Sequence, residues 1–258
     1  MPPREAPARA GAMRLQVRGL TVRFGGLAAL TDVDLDVADG QVVGLIGPNG
    51  AGKTTVFNAV SGLVRTAAGT ITVAGRPAPH APSGLAQAGV ARTLQGLGLF
   101  PGLSVLENVE VGALGPPDPA ATPDAATPDP AARALRALDD LGIVDRAALP
   151  VGALPYPEQK KVALARALVA GPRLLLLDEP AGGLGAADIA ELDTVVRRVA
   201  ATGCAVLLVE HHVDFVMGLC DRVVVLDFGR VIADGLPDDV RRDPAVTAAY
   251  LGIEVSAP

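Results

Sequence analysis

Gly47, Pro48, Asn49, Gly50, Ala51, Gly52, Lys53 and Thr54, followed by Thr55, decide how this chain is read. The run matches the G-x-x-x-x-G-K-[ST] phosphate loop. Its flanks matter as much as the motif: Val42, Val43, Leu45 and Ile46 read as a buried strand, and residues 55–63 as a helix. Glycines at positions 47, 50 and 52 predict positive φ, which turns backbone N–H groups into a concave nest for a di- or triphosphate. The N-terminus of the following helix adds partial positive charge. Lys53 is placed to reach the β- and γ-phosphates, and the Thr54 hydroxyl to join the shell of Mg²⁺. The competing reading is a glycine-rich turn that binds nothing, with the strand and helix around it accidental.

At 258 residues the chain holds one large α/β domain or two small ones. Half of its residues are hydrophobic, yet the longest apolar runs, 174–177 and 205–209, fall far short of the roughly 18 residues that span a bilayer. A soluble chain is expected, with docking on a membrane-bound partner left open. The net charge of -6 and isoelectric point near 5.1 argue against a basic grip on nucleic acid. Cys204 and Cys220 read as buried thiols of a reducing cytosol. His80, His211 and His212 leave no pair of motifs with zinc spacing.

Apolar runs alternate with helical patterns along most of the sequence: 42–46, the helix after Lys53, 70–73, 173–177, a helix over 187–199, 205–209 and 223–226. Such alternation predicts a mostly parallel sheet with helices on both faces. Ile189, Leu192, Val196 and Val199 recur at helical spacing and are expected in the core. The reading divides the chain into a disordered leader at 1–12, a single domain at 13–252 and a tail at 253–258. Residues 93–170 break the alternation as an inserted helical subdomain. Within it, 115–130 (G-P-P-D-P-A-A-T-P-D-A-A-T-P-D-P) has almost nothing to bury and reads as a flexible loop.

A second set of polar residues falls where apolar strands end. Leu174 through Leu177 run into Asp178, Glu179 and Pro180, the form expected where a fully buried strand meets the carboxyl edge of a parallel sheet. Asp178 is then a Mg²⁺ holder through water, and Glu179 the group that polarises the water attacking the γ-phosphate. The alternative is two solvated acids. Residues 205–209 lead likewise into Glu210, His211 and His212, where a histidine either contacts the γ-phosphate and its water or merely caps and faces solvent.

At these separations the phosphate loop, L-L-L-L-D-E-P and the following histidine resemble the ATP-binding subunits of ABC transporters. More narrowly, F-G-G-L-A-A-L at Phe24, the loop at Gly47, A-R-T-L-Q at Ala91, L-F-P-G-L-S-V-L-E-N-V at Leu99, V-E-H at Val209 and A-Y-L-G at Ala249 resemble the branched-chain (hydrophobic) amino-acid importers. The resemblance implies a P-loop NTPase fold in which an N-terminal antiparallel β subdomain and the helical insertion flank the central sheet. It implies ATP and Mg²⁺ as cofactors, a homo- or heterodimer of such subunits beneath transmembrane permease subunits, and an external substrate-binding protein. Nucleic acid is not an expected partner, and the implied location is cytoplasmic, peripheral on the inner face of the cell membrane. By position, Phe24 would stack on adenine, or else be plain core. Gln95 would sense Mg²⁺ and the permease, or be a solvated amide. His211 would be the switch histidine, and the loops around Gln95 and Leu99 would receive the permease's coupling helix.

The sequence departs from that family at its signature, commonly L-S-G-G-Q. The aligned residues are Leu154, Pro155, Tyr156, Pro157 and Glu158, followed by Gln159. The family's Ser hydroxyl and second Gly N–H reach the partner's γ-phosphate, whereas Pro155 has no hydroxyl and Pro157 no N–H. Pro157 does suit the first turn of a helix through Val162, Ala165 and Val169. Gly185 stands where the family's loop usually carries Asp or Asn. Two functions follow as expectations: an ATP-hydrolysing subunit that energises an importer for branched-chain or other amino acids, or a weakly or non-hydrolysing regulatory partner in a heterodimer. A soluble ABC protein acting on ribosomes or DNA is disfavoured by the single phosphate loop and the acidic charge.

Overall fold

In the computed structural model, residues 12–94, 96–114 and 129–251 are described. The leader expected at 1–12, save Ala12, most of the loop expected at 115–130, the tail at 253–258 and Gln95 lie outside them.

Strict alternation builds the N-terminal part. In β2 (Leu27–Ala38) Val33, Leu35 and Val37 are buried while Asp32, Asp34 and Asp36 point away, the period of a half-buried strand. β2 pairs antiparallel with β1 (Met13–Phe24), and β1 with β4 (Ala68–Val73), to which β5 (Arg76–Pro77) adds an edge; the sheet order is β2-β1-β4-β5. The central sheet contains β3 (Val42–Ile46), β6 (Val90–Arg92), β7 (Leu174–Asp178), β8 (Ala205–Val209), β9 (Arg222–Asp227) and β10 (Arg230–Gly235). Its order is β10-β9-β3-β8-β7-β6, all parallel except the β10 edge. β3, β7 and β8 are buried at every position, which is why they read as continuous apolar runs.

The two faces of this sheet are covered differently. Leu175, Leu177, Val206, Leu208, Val223 and Val225 join one apolar cluster with helices α2 (Val105–Ala113), α3 (Pro130–Asp140), α4 (Tyr156–Leu168), α5 (Ala186–Ala201) and α6 (Val213–Leu219). Leu174, Leu176, Leu207, Val209, Val224 and Leu226 join a second with α1 (Lys53–Val60), β1 and β2. Helices lie on both faces, as expected, but unequally. On the second face the antiparallel sheet does most of the covering, because β1 and β2 each offer a complete apolar row that one eight-residue helix cannot match. Two short helices, α7 (Pro237–Arg242) and α8 (Pro244–Leu251), end the described residues. Among the described residues no helix is long and apolar enough to cross a membrane.

The helix after the phosphate loop also differs from the expected 55–63. It starts at Lys53, because Gly52 takes φ +106 as its N-cap and lets the chain turn at once. It stops at Val60: Gly62 enters the left-handed region, and the N–H of Leu63 donates back to the Asn58 carbonyl at 2.8 Å.

Candidate functional site

Three strand ends converge on one edge of the sheet. β3 delivers the phosphate loop, β7 delivers Asp178 and Glu179, and β8, which lies between them, delivers Glu210 and His211. The expected positive φ is present at Gly47 (+149), Gly50 (+81) and Gly52 (+106). At Gly47 the requirement is steric as well as conformational, since a β-carbon there would lie 2.1 Å from the Leu226 carbonyl oxygen. Toward the open side, a β-carbon on Gly50 would meet nothing within 4 Å. The N–H groups of Gly50, Gly52, Lys53 and Thr54 take no backbone partner among the described residues. A polyanion is the natural occupant of such a nest at a helix N-terminus.

Lys53 is 8% exposed and donates from Nζ to the carbonyls of Gly47 at 2.6 Å and Pro48 at 2.8 Å. Burial pulls its ammonium below the usual range, an effect that the charge of Glu179 partly offsets. A cation held half-dry by carbonyls is poised to exchange them for phosphate oxygens. Phe24, at the hairpin between β1 and β2, is 52% exposed, which removes the plain-core reading and leaves an open aromatic face.

Asp178 is 7% exposed, and one carboxylate oxygen accepts from Arg92 Nη2 at 2.8 Å. The same guanidinium donates to Asn58 Oδ1 at 3.0 Å and Ser61 Oγ at 3.1 Å, tying β6 to α1 and β7. Its Nε is the single buried side-chain nitrogen or oxygen without a partner among the described residues. Glu179 holds φ +47, uncommon outside glycine, and its N–H donates to the Val209 carbonyl at 2.9 Å. The fully buried Glu210 accepts from the N–H groups of Ala181 at 2.6 Å, His211 at 3.0 Å and His212 at 3.2 Å. It thereby fixes the turn that brings His211 Nδ1 to 3.9 Å from Glu179 Oε1. For a metal the donors near the loop are the Thr54 hydroxyl and the Asp178 carboxylate, hard oxygens suited to Mg²⁺ that retains water and phosphate ligands. Among the described residues no cluster of three His, Cys, Asp or Glu offers an all-protein cage.

Residues 154–159 open α4. Leu154 is buried, Pro155 is the N-cap, Tyr156 starts the helix and Pro157 sits in its first turn, where no N–H is needed. Gln159 donates its N–H to the Pro155 carbonyl at 3.0 Å and its amide Nε2 to Leu154 at 2.8 Å, and Glu158 lies 3.5 Å from Arg146. This turn packs on its own chain's loop after Glu179: a β-carbon on Gly183 would come within 3.0 Å of Tyr156 Cε1.

The family described as ABC transporter matches residues 30–182. The chain belongs to that family. It is an ATP-binding, ATP-hydrolysing subunit of an ABC transporter, homologous to branched-chain amino-acid importer ATPases. A second family, the branched-chain amino acid ATP-binding cassette transporter, matches residues 230–256. The high-affinity branched-chain amino acid transport ATP-binding protein LivG of Salmonella typhimurium is 37% identical over 252 residues, covering 92% of this chain and 97% of that protein. The Fe(3+) ions import ATP-binding protein FbpC of Streptomyces coelicolor is 39% identical over 243 residues, 93% of this chain and 67% of its own. The crystal structure of a nucleotide-free ATP-binding cassette from an ABC transporter superposes with a TM-score of 0.81 at 26% identity, covering 92% of this chain and 98% of that one.

Within this ABC subunit three contributors to the site escaped the sequence reading. Arg92 stood inside a quoted motif without a role. Glu210 was noted only as a strand-end acid, and its complete burial depends on a loop 29 residues earlier in sequence. Burial raises the Tyr250 hydroxyl's pKa and the Gly47 backbone tempers that rise, so the end of the C-terminal match lies beside the phosphate loop.

Proposed function

We propose that this ABC subunit energises import of branched-chain amino acids or closely related small solutes. The observation that carries the reading is the C-terminal match at 230–256. Identity over the cassette does not separate solutes, since the iron-importer relative is as similar as the amino-acid one. Association beneath a membrane permease, typical of the family, gives the subunit a peripheral cytoplasmic place with an external binding protein feeding the complex.

The reaction assigned to the site is in-line attack of water on the γ-phosphorus of ATP, with the β–γ bridging oxygen leaving with its electron pair. The amides of Gly50, Gly52, Lys53 and Thr54 and the Lys53 ammonium hold the β- and γ-phosphates. Glu179 accepts the proton from the attacking water, and His211, beside it, contacts the γ-phosphate. Phe24 stacks on adenine. Thr54 and Asp178 would hold Mg²⁺, which when bound neutralises phosphate charge; Gln95, assigned to the same ion, lies outside the described residues. Glu179→Gln should keep ATP binding while lowering phosphate release by at least about 10²-fold, the usual scale for a lost proton acceptor. Unchanged turnover removes Glu179 from this role. For the solute, vesicles carrying the permease and this subunit should hydrolyse ATP faster with a leucine-loaded binding protein than with an empty one. No stimulation by leucine, isoleucine or valine would overturn the branched-chain reading.

The second reading, a weakly hydrolysing partner in a heterodimer, is favoured by one observation: Pro155 and Pro157 at the turn assigned to the partner's γ-phosphate.

A further inference from the structure

Lys160 leaves α4 one turn after Tyr156 and donates from Nζ to two consecutive carbonyls, Glu179 at 3.0 Å and Pro180 at 2.8 Å. Both acceptors lie immediately after the one backbone position of the site where a non-glycine residue carries positive φ, Glu179 at +47. A residue preceding proline is biased toward extended backbone, so the left-handed value at Glu179 must be held from outside. Its N–H is anchored on Val209 and its carbonyl also accepts from Gly182 at 3.2 Å, and Lys160 adds a clamp on two successive peptides, 179–180 and 180–181.

We infer that Lys160 is a positioning residue for hydrolysis: it fixes the main chain of Glu179, and with it the direction of the carboxylate, from the first turns of α4. The inference rests on the assignment of Glu179 as the proton acceptor. Releasing the two carbonyls lets Glu179 fall back to negative φ and swings its carboxylate away from the attacking water, while the phosphate loop on β3 keeps its grip on ATP. The Lys160 ammonium lies 5.5 Å over the Tyr156 ring, and Tyr156 in turn abuts Gly183, so the turn and the loop move as one body. Burial pulls the ammonium below its usual range, and Glu210 and Glu179 pull it back.

The test is a double-mutant cycle on the full chain, reading kcat by phosphate release and ATP affinity by equilibrium binding. Lys160→Met should lower kcat roughly 10- to 10²-fold, the cost of a misplaced reacting group, with ATP affinity changed less than about two-fold. Lys160→Arg, whose fork reaches two carbonyls, should recover most of the loss. In a Glu179→Gln background Lys160→Met should have no further effect. Where Lys160→Met fails to fold, Lys160→Gln, an amide able to satisfy one carbonyl, carries the same expectation. Normal kcat in Lys160→Met or Lys160→Gln, or an equal loss in both backgrounds, overturns the inference alone. Normal turnover in Glu179→Gln alone removes the assignment on which it rests.

Discussion

Arg92 shows how one residue can carry more of the site than its motif suggests. Its guanidinium is nearly buried, pairs with the nearly buried Asp178, binds Asn58 and Ser61, and lies 5.5 Å over the Phe57 ring. Truncating it leaves the Asp178 carboxylate without its cation in a site with little water. Arg92→Ala should therefore destabilise the fold by about 3–5 kcal/mol, the scale for breaking one side of a buried pair. Arg92→Lys keeps the charge but not the planar fork that serves three acceptors, so it should fall between. Urea unfolding of the three proteins decides; a loss under about 1 kcal/mol for Arg92→Ala would place the pair in an effectively wet environment. At this scale Asp178, Glu179 and His211 could be singled out because they follow apolar runs, and Lys53 because it closes the glycine-rich motif. Arg92, Glu210 and Lys160 could not, since each acts through partners 19 to 86 positions away.

Elements were legible where burial is complete or capping is local. β3, β7 and β8 could be read as apolar runs, whereas the long β2 was passed over because Asp at every second position from Asp32 to Asp36 breaks its apolar run. At α2 the capping is fully local: Ser104 accepts from the Glu107 N–H, and the Glu107 carboxylate accepts from both the Ser104 N–H at 2.7 Å and its hydroxyl at 2.7 Å. The bonds from Ser104 hold the Glu107 carboxyl below the ordinary carboxylate range. Just inside the cap, the buried Asn108 binds both the N–H and the carbonyl of Phe100, so the helix start also fixes the loop before it. Ser104→Ala should cost about 1 kcal/mol near neutral pH. A carboxyl with a depressed folded pKa contributes stability that is present above its unfolded value and lost as pH falls through the folded one. The difference between wild type and Ser104→Ala should accordingly narrow on the acid side of the carboxylate range. A difference that stays constant from pH 7 to below about pH 3 would show that the bond from the Ser104 hydroxyl to the Glu107 carboxylate contributes nothing.

Across the whole molecule, the parallel sheet with a phosphate loop at its edge could be anticipated from alternation and motif together. How its second face is covered could not, because that depends on β1 and β2 folding over α1 from an earlier part of the chain. The assembly poses the sharper question. A γ-phosphate bound by one subunit is assigned to the opening turn of α4 in the other, and here that turn has Pro155 as an N-cap without a side-chain bond and Pro157 within the first turn. The helix itself loses nothing by this, since first-turn amides have no intrahelical partner. The cross-subunit clamp loses a hydroxyl and an amide, each charge-assisted bond being worth about 1.5–3 kcal/mol to a buried phosphate. What remains is the N–H of Tyr156, the N–H of Glu158 and the partial charge of a 13-residue helix. The subunit should therefore dimerise weakly with ATP and hydrolyse it with little cooperativity. In a Glu179→Gln background, which holds ATP uncleaved, Pro155→Ser with Pro157→Gly should raise the dimer fraction in gel filtration with ATP, even though glycine adds entropy to the unfolded helix start. An equal or smaller dimer fraction would mean that two amides and the helix dipole already suffice, and the missing donors would cease to count against hydrolysis at that site.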